Sequence, residues 1–123
     1  MILLDTNALI WLHRDDARAG VIAGRGGRVY ASPASILELQ FLSEIGRLRL
    51  KRNATITHIV HDDRWVIDDP PSVAWFEEAT SIGWTRDPFD RLLVAHARLR
   101  KWPLATGDRR VIEQLRRGEY VEL

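Results

Sequence analysis

The chain begins Met1-Ile2-Leu3-Leu4-Asp5-Thr6-Asn7, and the fold is decided by how this stretch is read. Three large apolar residues in a row stop abruptly at an acid, a hydroxyl and an amide. Such a run fits a short strand buried on both faces, the central position in a parallel sheet. Ala8-Leu9-Ile10-Trp11-Leu12-His13 then suits a helix capped by Asp5, Thr6 or Asn7. In open α/β sheets, ligands bind beyond the carboxyl ends of the strands. Asp5 therefore stands where such a fold does its chemistry.

Outward from that unit, strands and helices alternate. Ala17 to Ala23 predicts a second short helix, broken by Gly24 to Gly27, and Arg28 to Ser32 a second strand. Ser32 caps and Pro33 opens a helix running to about Ile45, where Ala34, Leu37, Phe41, Leu42 and Ile45 form one apolar face and Gly46 ends it. A short helix near Ala54 to Val60 precedes a third strand, Trp65-Val66-Ile67. A helix over Ser72 to Thr80 and a long one over Pro88 to Lys101 follow. Leu104-Ala105-Thr106 makes a fourth strand, Arg109 to Arg117 a last helix, and Tyr120 to Leu123 a fifth strand. Without repeats or linkers, this alternation predicts one α/β domain over residues 1–123 with a parallel sheet of about five strands.

Composition narrows the function classes. The chain of 123 residues is 46% hydrophobic and 28% charged, ordinary for a globular protein in water. No apolar run approaches the roughly 20 residues needed to cross a bilayer, so no membrane association is expected. No basic segment precedes the short apolar start, which argues against a signal peptide. With no cysteine there is neither a disulfide nor a thiolate metal site, and the cytoplasm is the expected location. The net charge of +1 hides a bias: sixteen of eighteen basic residues are Arg, suited to bidentate phosphate contacts. GC-rich coding produces the same bias with no functional meaning.

Four acids fall toward one sheet edge. Ser35-x-x-Glu38 has capping-box spacing, but Ser32-Pro33 is the stronger helix start and puts Glu38 in the second turn. There it lies within the arc of Ala34, Leu37, Phe41 and Leu42, where an ionised group is costly unless a cation meets it. Asp87 before Pro88 is a standard helix opening. Asp90, although placed to complement the helix dipole, turns away from Arg91 and Arg98, between Val94 and Ala97. Asp5 and Asp108 follow strands, and each can also cap the next helix. Four carboxylates in one place raise each other's pKa values unless a cation neutralises them. Oxygen ligands without His or Cys suit Mg²⁺ or Mn²⁺. His13, His58, His61 and His96 lack zinc-like spacing and read as surface or core residues.

Taken together, Leu3-Leu4-Asp5-Thr6-Asn7, Ser35 to Leu39, Arg86-Asp87-Pro88-Phe89-Asp90-Arg91-Leu92-Leu93-Val94-Ala95 and Leu104-Ala105-Thr106-Gly107-Asp108 resemble the PIN domain, and more narrowly the VapC-type toxins of bacterial toxin–antitoxin pairs. The resemblance implies a three-layer α/β/α sandwich and a metal-dependent ribonuclease leaving 5′-phosphate and 3′-hydroxyl ends. It assigns Asp5, Glu38, Asp90 and Asp108 as catalytic, metal-binding acids, with Asp87 an additional acid and Thr106 a supporting hydroxyl. It also implies a homodimer and a VapB-like antitoxin whose C-terminal segment covers the site. Gly107 departs from the family, where a larger residue is common, and activity is expected to survive this.

Arg86, Arg91 and Arg109 flank the acids in sequence. They could grip RNA phosphates, or equally be solvated or pair with the acids. Trp84 could stack on a base or belong to the core, and Trp75-Phe76 with Ile82 and Trp84 is a candidate dimer or antitoxin surface. Two rivals are weighed. One is a non-catalytic PIN-like module binding RNA or protein, against which the full acid set speaks. The other is a different Mg²⁺ phosphate enzyme or a receiver domain. A haloacid-dehalogenase-type phosphatase wants an acid where Asn7 stands. A receiver could use Asp68 as acceptor but lacks the acidic pair after strand one.

Overall fold

The computed structural model describes residues 1–123. Its sheet has five strands, β1 (Ile2–Leu4), β2 (Val29–Ala31), β3 (Val66–Ile67), β4 (Leu104–Thr106) and β5 (Tyr120–Glu122), in the order β3-β2-β1-β4-β5. All pairings are parallel, with Leu3 opposite Tyr30 on one side and Leu104 on the other. The central place of β1 follows from its sequence, since Leu3 and Leu4 are 0% exposed. Ile2 and Leu4 face one layer and Leu3 the other, as a two-residue period requires.

The first layer contains α1 (Thr6–His13), α2 (Gly20–Ala23) and α4 (Ile56–Val60), packed around Leu9, Leu12, Ile22, Ile59 and Trp65. The second contains α5 (Ser72–Thr80), α6 (Pro88–Arg100) and α7 (Arg109–Ile112), around Trp75, Ile82, Leu93, Val94 and Val111. Between them, α3 (Pro33–Glu44) contributes Leu39 to the first core and Ala34 to the second. The result is the expected three-layer α/β/α sandwich. Two helix starts read from sequence are present as expected: the Ser32 hydroxyl accepts from Ala34 N with Pro33 at the first position, and Asp87 caps α6.

The structure corrects three expectations. The apolar face assigned to α3 does not point inward: Leu37 is 64%, Phe41 46% and Ile45 48% exposed. Its buried side is Ala34, Ser35 and Leu39, with Leu42 half-buried. Small residues let α3 approach its neighbours closely, and at about 100° per residue Glu38 falls between Ala34 and Leu42 on that buried side. Apolar periodicity alone could not distinguish a core face from an outward one. Second, α7 ends at Ile112, not Arg117, because the chain tightens into three-residue turns, Gln114 N to Val111 O and Leu115 N to Ile112 O. Gly118, at φ +93°, then swings it into β5. Third, the cluster Trp75-Phe76-Ile82-Trp84 is mostly interior: Trp75 is 5% and Ile82 1% exposed, leaving Phe76 as its outward member.

Candidate functional site

β1 delivers Asp5 to the carboxyl edge of the sheet in extended conformation, where its Oδ1 accepts from Ala8 N at 2.7 Å. Asp5 thus does cap α1, and one oxygen is spent on it. Thr6, 3% exposed, holds the Ser35 hydroxyl at 2.9 Å and so fastens the start of α1 to α3. Glu38 lies one turn beyond Ser35, and this tie fixes where its carboxylate reaches. β4, directly beside β1, ends at Thr106, whose hydroxyl accepts from Asp108 N at 3.1 Å. Asp108 caps α7 through one oxygen, accepting from Arg110 N at 2.9 Å. Asp90 sits in the first turn of α6, after Asp87.

Asp5, Glu38, Asp90, Asp108 and Thr106 line one small pocket of about 40 Å³, and no Arg or Lys lines it. The electrostatic consequence is strong. Burial pushes Asp5 up to about 6, with Asp108 adding to the rise and the Thr106 hydroxyl and Ala8 N–H partly offsetting it. Glu38 is pushed up to about 7, chiefly by burial and then by Asp87, Asp90 and Asp5, against the Thr6 hydroxyl. Asp90 rises to about 6 through burial and the charges of Asp87 and Asp108, with Arg110 opposing. Each pH unit of displacement is worth about 1.4 kcal/mol, so ionised Asp5 costs the fold about 3 kcal/mol at pH 7. No basic side chain lines the pocket to offset these charges, and Arg110 at its edge does so only in part.

The donor set suits a hard divalent cation. No three of these carboxylates stand close enough together to hold one ion directly. Mg²⁺ ordinarily keeps several waters and takes only one or two carboxylates directly. What fits such an ion is the chemistry of the donors, oxygen groups without His or Cys, and not a ready-made cage.

The other residues marked in the sequence lie outside this pocket. Asp87 is exposed and consumed as a cap, accepting from Phe89 N at 2.8 Å and Asp90 N at 3.3 Å, although its charge still raises Glu38 and Asp90. Arg86 donates to Gly83 O, Arg91 to Thr85 O, and Arg109 approaches Glu122 at 3.5 Å. The basic group nearest the acids is instead Arg110, 4.0 Å from Asp108. Sequence reasoning missed it because Arg109 and Arg110 are adjacent and both exposed, and only the placement of the short α7 decides which of them lies beside Asp108. Thr6 and Ser35 were visible within the motifs but had no assigned role.

Beside the acids, a second pocket of about 220 Å³ is lined by Trp84, Thr85, Asp90, Arg110, Glu113 and Gln114. The Trp84 indole N–H is buried without an acceptor, a cost of about 1–3 kcal/mol. A cavity of about 250 Å³ between α6 and the end of α7, lined by Val94, Trp102, Leu104 and Leu115, is larger but holds no convergent acids. Size does not identify the site here.

Ser32, His96 and Asp68 form a chain that resembles a hydrolytic triad, with 2.9 Å from Ser32 Oγ to His96 Nδ1 and 2.7 Å from His96 Nε2 to Asp68. Ser32 is 1% exposed and its hydroxyl caps α3, so no substrate reaches it. Arg100 also binds Asp68, at 2.8 Å. These groups tie α3, β3 and α6 together and occupy the carboxylate a receiver would need free.

A PIN domain family model matches residues 2–117. No curated protein matches the chain in sequence. Among solved structures, VapBC2 from Rickettsia felis bound to a DNA fragment from its promoter is similar with TM-score 0.69, at 16% identity over 100% of this chain and 99% of that chain. FitAB bound to the IR36 DNA fragment is similar with TM-score 0.58, at 19% identity over 100% of this chain and 94% of that chain. With the family model spanning nearly every element from β1 through α7, the chain belongs to the PIN domain family.

Proposed function

We propose that this chain, acting as a single PIN domain, is a divalent-metal-dependent endoribonuclease and the toxin of a toxin–antitoxin pair. The observation that carries the proposal is the pocket into which four elements each send a carboxylate without a basic side chain among them. Asp5, Glu38, Asp90 and Asp108 would hold Mg²⁺ or Mn²⁺, partly through water. Such an ion supplies a Lewis acid that makes bound water a nucleophile at neutral pH and offsets charge on a phosphodiester.

The protein's own contribution is placement. Asp5 is oriented by the Ala8 N–H and by Thr106, and Glu38 is oriented through the Thr6–Ser35 tie. Arg110 stands beside Asp108, outside the small pocket, where a guanidinium can meet a phosphate oxygen. Arg86, Arg91 and Arg109 are engaged elsewhere and are lesser candidates for substrate contact. The structural likeness to VapBC2 and FitAB supports a VapB-like antitoxin partner, and the family resemblance supports a homodimer.

A second reading, a non-catalytic RNA- or protein-binding module, is favoured by the spacing that keeps any three carboxylates from gripping one ion directly. The test is cleavage of a single-stranded RNA pool with Mg²⁺ or Mn²⁺ and with chelator. We expect cleavage only with metal, and its loss in a folded Asp5→Asn variant. No cleavage by the wild-type chain under either condition favours the second reading, and cleavage that persists in chelator would overturn the metal-dependent one.

A further inference from the structure

We propose that the pocket lined by Trp84, Thr85, Asp90, Arg110, Glu113 and Gln114 is a nucleobase subsite, which receives the base next to the bond being cut and sets a preference for it. This rests on the ribonuclease reading for its substrate, but the pocket's chemistry is independent of catalysis. Asp90 lines both this pocket and the acid pocket, so a ligand filling one reaches the edge of the other. At about 220 Å³ the space is below the roughly 300–1,000 Å³ of sites for drug-sized ligands, and suits one base and part of its sugar.

The lining matches the edges of a base in a way it does not match a phosphate alone. Gln114 offers a donor and an acceptor, Glu113 accepts from exocyclic amines, and Arg110 donates. These are the side-chain types that read base edges in pairs. Trp84 lines the pocket with part of its indole, the kind of side chain on which bases stack. Two acids beside one arginine would repel a bare phosphate, whereas a neutral base carries no such charge.

The experiment follows the indole N–H signals by ¹⁵N NMR while AMP, GMP, CMP, UMP and ribose 5-phosphate are added separately to the full chain. Trp84→Phe identifies the Trp84 signal. We expect one nucleotide to shift it at least about five-fold more tightly than the weakest, with ribose 5-phosphate without effect. Gln114→Ala should erase most of that discrimination, bringing the nucleotides to within about two-fold of one another. Cleavage by Gln114→Ala with its preference at the adjoining base flattened would support the same assignment.

Equal shifts from all nucleotides and ribose 5-phosphate, or none, would overturn it and leave the pocket to a side chain of a protein partner. Base-selective binding by a chain that cuts no RNA would sustain the subsite while the ribonuclease reading fails.

Discussion

On the proposed reading, Asp5 and Asp90 carry opposite signs for stability and function. Each is an acid raised well above its ordinary range, so its charge opposes folding at neutral pH. Asp90→Asn should therefore raise the thermal midpoint in chelator at pH 7.5, by a few degrees, while lowering RNA cleavage by about 100-fold or more. Differential scanning fluorimetry and a cleavage assay on the same preparation check both halves. A drop in both would mean that Asp90 is structural. Gly107 offers a second test at this scale. A Cβ there would lie 2.9 Å from the Trp11 ring, which itself stacks under Arg18. The departure from the family pattern is thus paired with a large neighbour. Gly107→Ala should cost about 1–3 kcal/mol, and Trp11→Leu in the same chain should recover much of it, read from urea midpoints. An additive pair would reject the contact as the cause.

At the scale of elements, the buried link of Ser32, His96, Asp68 and Arg100 holds three of them in register. Burial lowers His96, against the pull of Asp68. For Asp68 burial alone would act upward, but hydrogen bonds from Arg100 and His96 outweigh it and hold the carboxyl below its usual range. The unfolded chain protonates His96 more readily, so its contribution is present above about pH 6.5 and declines as pH falls below that value. The contribution of Asp68 is present above its ordinary range and is lost only in stronger acid. Asp68→Asn should cost about 2 kcal/mol and leave metal-dependent cleavage near wild type, since the acid pocket takes nothing from it. Activity loss exceeding the loss of folded protein would place Asp68 in the catalytic machinery instead.

Elements were also where the sequence was most and least legible. Strand β1 and the caps at Ser32 and Asp87 are local signals, and local chemistry decides them. The convergence of Asp5, Glu38, Asp90 and Asp108 could be read because strand ends and helix starts share one edge in a parallel sheet. What faces outward on α3 could not, because Leu37, Phe41 and Ile45 obey the same period as a core stripe. Nor could Arg110 be preferred to Arg109 without knowing where α7 stops.

Over the whole molecule, the acid pocket imposes a pH dependence of its own. The folded protein retains protons on Asp5, Glu38 and Asp90 that the unfolded chain gives up near their ordinary values of 3.8 to 4.5. Stability from these groups is full below that range and falls as pH rises through about 6 to 7. Without metal the thermal midpoint should be lower at pH 8 than at pH 5.5. Addition of millimolar Mn²⁺ should raise it at pH 8 and change it little at pH 5.5, by linkage. Equal stabilisation at both values would separate metal binding from these carboxylates.

The centre of the sheet has a further consequence for how the molecule is made. β1 is joined on one side to β2 and on the other to β4, and Asp108 follows β4 near the far end of the chain. Contacts so distant in sequence close late, so β1 meets β4 after the local helices have formed. A chain cut before β4 would therefore keep Asp5 but lack Asp108 and one of the two strands that flank β1.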